Sequence, residues 1–300
     1  MTPIGPAIAL QLASAAMPAP PISPEPTPAA EVDLVAAEAD RFARLTVPIR
    51  LAEHGTYRFL VDTGSQRTVL ASEIAIRLAL PLGPSLRIVG MGGTATVETA
   101  LITEIGLGAR ALPDISVPLL RREHIGADGI VGLDSLQNQR VLLDFGRNML
   151  EIGDARGLGG DRGYEIVVTA RRHAGQLIMA DATIDGVRTS VVIDTGAGTS
   201  IGNRALQQAL RQRDLPTKAT LVSVTGHEVI ADLGVARVLK IQDVGITNLV
   251  IAFTDAPPFE RLGLARRPAL LLGMRELRLF GRVAIDFRTK RVLFDTGKVR

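Results

Sequence analysis

The residues best suited to chemistry are two aspartates set in the same tripeptide 132 residues apart, Asp62-Thr63-Gly64 and Asp194-Thr195-Gly196. One such tripeptide, expected by chance in roughly 4% of chains this long, would be weak evidence. Here each follows an apolar run, Phe59-Leu60-Val61 or Val191-Val192-Ile193. Each then leads into a second run, Thr68-Val69-Leu70 or Thr199-Ser200-Ile201. Two carboxylates brought within hydrogen-bond range cannot both ionise near neutrality, so such a pair shares one proton. The ionised member is then a general base for a water held between them, and the protonated member a donor to a carbonyl oxygen. This chemistry needs no metal or other cofactor. The chain has no Cys, which removes thiolate metal sites, disulfides and cysteine nucleophiles together.

The surroundings of the two tripeptides repeat as well. Segments 47–51, 56–65, 87–97, 128–136 and 141–152 are echoed in order by 165–170, 189–198, 220–230, 269–277 and 283–294. The offset grows from 132 at the tripeptides to 141 at the apolar-apolar-Gly elements ending in Gly132 and Gly273. An insertion in the second half accounts for this, and the Pro- and Arg-rich stretch 255–268 is its expected home, as loop. Most segments are short, β-branched and bounded by turn residues, which predicts strands. Helical spacing predicts a helix over 73–80 with Ser72 as N-cap, and another over 204–213 with Asn203 as N-cap. A single turn is expected after each apolar-apolar-Gly element. The reading divides the chain into a tail (1–30), a first half (31–152), a Gly-rich linker (153–163) and a second half (164–300).

This constellation resembles the aspartic peptidases. Within them it is most similar to the retropepsin-like group, because neither half has a Tyr at the flap position that pepsin-like enzymes use. The likeness covers about residues 47–294. It implies a mostly β protein of two retropepsin-like barrel halves in one chain, with a cleft between them. Asp62 and Asp194 would be the catalytic pair of an endopeptidase acting on an extended peptide. Gly64 and Gly196 would permit the tight turns, and Thr63 and Thr195 would cross-link the loops. The flaps would be Gly90-Met91-Gly92-Gly93 and Val224-Thr225-Gly226-His227. Ser65 and Ala197, which follow the tripeptides, are the chemical difference between the loops. The resemblance implies that a hydroxyl there donates to the outer oxygen of the adjacent Asp. The mixed pair would then place the pH optimum at about 4–6. A non-catalytic peptide-binding module on the same scaffold is the alternative, and an envelope structural protein is a third.

Other features are assigned more modest roles. A third Asp-Thr-Gly, at Asp295, has only three residues after it and cannot build a further half. Asp144 and Asp286, each before Phe, suit strand-end turns. His54, His124 and His173 read as surface loop residues. Aromatics are only 3% and the 34 basic residues form no block, which argues against a nucleic-acid partner. Residues 1–24 carry no charge; an apolar stretch from Ala7 to Met17 contains Ala13-Ser14-Ala15, and a Pro-rich spacer follows. This pattern implies an exported protein, periplasmic or secreted, with a cleaved signal, the alternative being a segment retained as a membrane anchor. The stretch is too short to cross a bilayer, so no integral membrane domain is expected. With both aspartates in one chain, the working unit is expected to be a monomer.

Overall fold

Short runs of Val, Ile and Leu broken by turn residues leave this chain little to form but strands. The computed structural model places them in three sheets. It describes residues 32–40, 44–212 and 217–297; the expected signal segment lies outside these residues. The first half contributes an eight-stranded sheet in the order Glu38–Ala39, Leu45–Leu51, Thr56–Val61, Gly129–Val131, Val69–Ala71, Arg110–Leu120, Gly93–Leu107, Leu82–Gly90. The second half repeats it position for position: Arg171–His173, Gln176–Ile184, Val187–Ile193, Ala269–Leu272, Ser200–Gly202, Val244–Phe253, Glu228–Ile241, Lys218–Val222. Each sheet also folds back on itself, Arg50 pairing Gly106 and Thr183 pairing Lys240. The molecule is mostly β, with two β-rich halves.

The apolar-apolar-Gly elements explain themselves in this topology. Leu60 and Val61 run parallel to Ile130 and Val131, and Val192 and Ile193 run parallel to Leu271 and Leu272. Each parallel strand then ends in a glycine beneath the loop of its own half. A Cβ on Gly132 would stand 2.3 Å from the Arg67 carbonyl carbon, and one on Gly273 would stand 2.7 Å from that of Thr199. Only glycine fits where two backbones approach so closely. The expected single turns follow at Leu133–Leu136 and Met274–Leu277.

A third sheet joins the halves with three strands from each, in the order Val32–Ala36, Met149–Gly153, Arg140–Asp144, Arg282–Asp286, Arg291–Asp295, Ile166–Thr169. At its centre Arg140 pairs Asp286 and Asp144 pairs Arg282. Arg140 is 2% exposed, with Nη2 3.1 Å from Asp286 Oδ2 and 2.8 Å from Asp161 Oδ1. Asp144 and Asp286 also cap turns, accepting from the amides of Arg147 and Thr289 at 2.9 and 2.8 Å. The third tripeptide ends the last strand, where Asp295 is ion-paired with Arg282 at 2.6 Å. Residues 154–163 form turns between the halves.

The helices differ in detail from expectation. The second is capped as expected, Asn203 Oδ1 accepting from the Leu206 amide at 2.9 Å, but it stops at Ala209. In the first, Ala71 holds the cap position; Ser72 is already helical and its hydroxyl donates to Glu73. The sequence offset does drift between Phe253 and Ala269, but that segment is not plain loop. It contains the helix Pro257–Arg261, whose proline at the first turn needs no amide partner. Phe259, Leu262 and Leu264 bury themselves against Ile178, Val192 and Leu271, so apolar contacts that the composition hid hold the insertion down. A further short helix, Arg122–Ile125, occupies the equivalent place in the first half.

Candidate active site

Each Asp-Thr-Gly turn begins where an interior strand ends. The Asp62 amide donates to Val131 O and the Asp194 amide to Leu272 O, both at 3.0 Å, so the parallel glycine-ended strand fixes where each aspartate leaves its sheet. The carboxylates then fold onto their own turns. Asp62 Oδ1 accepts from the amides of Gly64 (2.7 Å) and Ser65 (3.0 Å), and Asp194 Oδ1 accepts from the Gly196 amide (3.1 Å).

The two turns lock together through their threonines. Thr195 Oγ1 accepts from the Thr63 amide (3.0 Å) and donates to Val61 O (2.7 Å). Reciprocally, Thr63 Oγ1 accepts from the Thr195 amide (3.3 Å) and donates to Ile193 O (3.0 Å). Both threonines are buried, so each hydroxyl satisfies two backbone groups of the opposite half that would otherwise be orphaned. The lock brings each carboxylate against the other turn. A Cβ on Gly64 would lie 2.8 Å from Asp194 Oδ1, and one on Gly196 would lie 2.4 Å from Asp62 Oδ2. These two positions admit no side chain. Gln176 adds a brace from the second half, donating to Gly64 O at 2.6 Å.

The environment raises the pKa of both carboxyls above the usual range. Burial is the main cause for Asp62, opposed by the Gly64 and Ser65 amides; for Asp194 burial acts first and the charge of Asp62 adds to it. Two desolvated carboxyls facing one another share a proton, and the pair titrates as a unit.

One expected contact is different. The Ser65 hydroxyl donates to Arg67 O at 2.8 Å, so it is not the donor to Asp62; the Ser65 amide fills that role. A backbone carbonyl two residues on competes successfully for a short hydroxyl side chain. The premise for a lower optimum in the mixed pair therefore does not hold. Ala197 instead packs in an apolar cluster that also takes Met91 and Leu221.

Both flaps form as hairpins whose tips meet. In the first, Gly90 pairs Gly93 around a Met91-Gly92 turn; in the second, the Ser223 amide donates to His227 O at 2.8 Å. A Cβ on Gly90 would stand 2.8 Å from Ser223 Oγ, and one on Gly92 would stand 2.3 Å from His227 Cβ. His227 is exposed, its Nδ1 2.9 Å from Thr225 Oγ1. Gly226, at a φ of +83°, lies against the imidazole of His124. That histidine is therefore not a plain surface residue, because the opposite half's flap covers it. His54 and His173 are exposed.

Sequence reading missed a pair of braces. Thr68 Oγ1 bonds Asp134 at 2.7 Å and accepts from the Gly132 amide at 3.2 Å. In the second half, Ser200 Oγ donates to Glu276 at 2.5 Å and accepts from the Gly273 amide at 3.0 Å. The two hydroxyls fall at matched positions of the repeat, 132 residues apart, but the acids do not: Asp134 lies two residues after Gly132 and Glu276 three after Gly273.

Among the described residues no group of three or more His, Cys, Asp or Glu could hold a metal ion, and no helix is long and apolar enough to cross a membrane. A cleft of about 990 Å³ on the first half, lined by Tyr57, Glu73, Arg77 and Arg122 among others, contains neither aspartate. Chemistry, not size, marks the site.

Two lobes that each present an Asp-Thr-Gly turn to the other define the architecture of an acid peptidase. Residues 47–138 match the family model of a gag-polyprotein putative aspartyl protease, and residues 180–275 match that of an aspartyl protease. The chain belongs to the retropepsin-like aspartic peptidases, as two such domains in tandem. A search of the curated proteins returns no match.

Proposed function

We propose that the protein is an endopeptidase that hydrolyses peptide bonds with a water activated between Asp62 and Asp194. The observation that carries this reading is the threonine lock, which places both carboxylates against the opposite glycine. With one proton shared, the ionised carboxyl takes a proton from the water as it attacks the scissile carbonyl. The other donates to the developing oxyanion. The carboxyl that took the water's proton then gives it to the amine nitrogen, the C–N bond breaks, and the proton on the former carbonyl oxygen returns to the other carboxyl. Thr63 and Thr195 hold the turns, and the Gly64, Ser65 and Gly196 amides aim the carboxylates. The flaps close over an extended peptide and exclude water.

On this reading one chain is the working unit, since both turns come from it, and the Ala13-Ser14-Ala15 segment directs export to the periplasm or medium. The test is to incubate the purified chain with a diverse peptide library between pH 3 and 8 and map cuts by mass spectrometry. Internal cuts at a consistent pattern are expected. Binding of peptides with no cut at any pH would instead support a binding module.

A further inference from the structure

The two ends of the cleft are built alike and charged differently. At each end the short helix after the long hairpin meets a flap of the opposite half: Arg122–Ile125 seats Gly226 on His124, and Pro257–Arg261 lies against the flap strand Leu82–Gly90. In the first of these helices the cations are neutralised, Arg121 by Glu123 at 3.0 Å and Arg122 by Asp128 at 2.9 Å. In the second they are not. Arg261 Nη2 donates to the Gln66 amide oxygen at 2.6 Å, and Arg172, on the strand Arg171–His173, donates to the Gln137 amide oxygen at 2.8 Å. Among the described residues no carboxylate pairs with Arg172 or Arg261. Glu260 is adjacent in sequence, but neighbours one apart on a helix do not face each other.

The cluster is tied to the catalytic floor. Gln66 lies four residues beyond Asp62, at most about 14 Å of chain, and its amide also donates to Ala174 O at 2.8 Å. The His173 ring bonds Arg261 O at 3.0 Å, which joins the hairpin bearing Arg172 to the helix bearing Arg261. Both arginines are exposed. Floor, end wall and flap therefore meet at Arg261, and the hairpin tied to it carries Arg172; each guanidinium is held by a neutral amide and has further donors to offer.

Resting on the peptidase reading of this cleft, we propose that its Gln66 end selects an acidic residue of the substrate through Arg261 and Arg172. A peptide extended at about 3.3 Å per residue would present that residue about three to five positions from the scissile bond, on one side only. The guanidinium forks suit a carboxylate, and the exposed setting makes the preference sensitive to salt.

The experiment compares peptides that differ only by Glu or Gln at each of these positions, on either side of a mapped cut. At low salt, Glu on one side should raise kcat/KM about five-fold, and the advantage should fade at about 1 M salt. Arg261→Gln with Arg172→Gln should bring the Glu-to-Gln ratio close to one, whereas Arg261→Lys should keep part of it. A ratio of one in the parent at every position, or a ratio the double variant leaves intact, would overturn the proposal. Binding of the same pairs to Asp194→Asn protein, by calorimetry, separates this claim from its parent. Preferential binding of the Glu peptide without turnover by the parent would sink the peptidase reading and uphold the acidic subsite, and equal binding would sink the subsite.

Discussion

A carboxyl group changes its chemistry when another is placed against it, and Asp62 and Asp194 are so placed. Both are raised in the folded protein, chiefly by burial. The rate should therefore fall on the alkaline side only as pH passes well above the ordinary carboxylate range of about 4. The same shift makes the pair a cost to stability that grows as pH rises from the unfolded value to the folded one, because the native state there holds the extra proton. Asp194→Asn should accordingly melt no lower than the parent at pH 7, by calorimetry. Ser65 was legible as a residue of the turn but not in its bonding, since a hydroxyl reaches a carbonyl two residues away as readily as a neighbouring carboxylate. With its hydroxyl on Arg67 O, Ser65→Ala should leave the acidic limb of kcat/KM within about 0.3 pH units of the parent. A rise approaching one unit would show that the hydroxyl donates to Asp62 in the free enzyme, the state that kcat/KM reports.

Elements carry the symmetry that makes the pair possible. The sequence repeat was enough to place the strands around the two turns, the hairpins at Gly90–Gly93 and Ser223–His227 and the single turns after Gly132 and Gly273, but not the strands Val32–Ala36, Arg110–Leu120, Gln176–Ile184 or Val244–Phe253. It could do so because β-branched alternation and turn residues are local signals. What escaped it is set by tertiary context. The helix Pro257–Arg261 exists because Phe259 finds a buried partner surface, and His124 looked idle until the opposite flap lay across it. Buried Glu276 is intelligible only once Ser200 stands beside it. The threonine lock is the element-scale device with the clearest test. Thr63→Ala would strip the Thr195 amide and Ile193 O of a buried partner, at a cost of about 2–3 kcal/mol and a large loss of kcat. Thr63→Ser keeps the hydroxyl and should retain most of both. Denaturant unfolding beside steady-state kinetics reads the two effects, and equal damage from Ala and Ser would argue against a role for the hydroxyl.

At the scale of the whole molecule, the shared six-stranded sheet does for one chain what an interface between subunits would do for two. Its centre is held by Arg140, fully buried between Asp286 of the other half and Asp161 of the turns that connect them. Arg140→Ala would leave buried Asp286 without its cation, while Asp161 keeps Arg291, and should cost about 3–5 kcal/mol. The halves should lose their mutual register with it, so that cleavage activity falls at denaturant concentrations where each half's sheet is still intact by circular dichroism. A variant as stable as the parent would mean that this fork is not what joins the lobes.

The central claim is that one active site is made of two unlike turns in a single chain. The measurement is kcat/KM on a mapped peptide for the parent, Asp62→Asn, Asp194→Asn and Asp295→Asn, with folding checked in each. The account predicts losses of at least about a thousand-fold in the first two variants and none in the third. It predicts too that mixing the two inactive variants restores nothing. Substantial cleavage by either Asp62→Asn or Asp194→Asn would contradict the shared pair, and activity regained on mixing would place the site between chains.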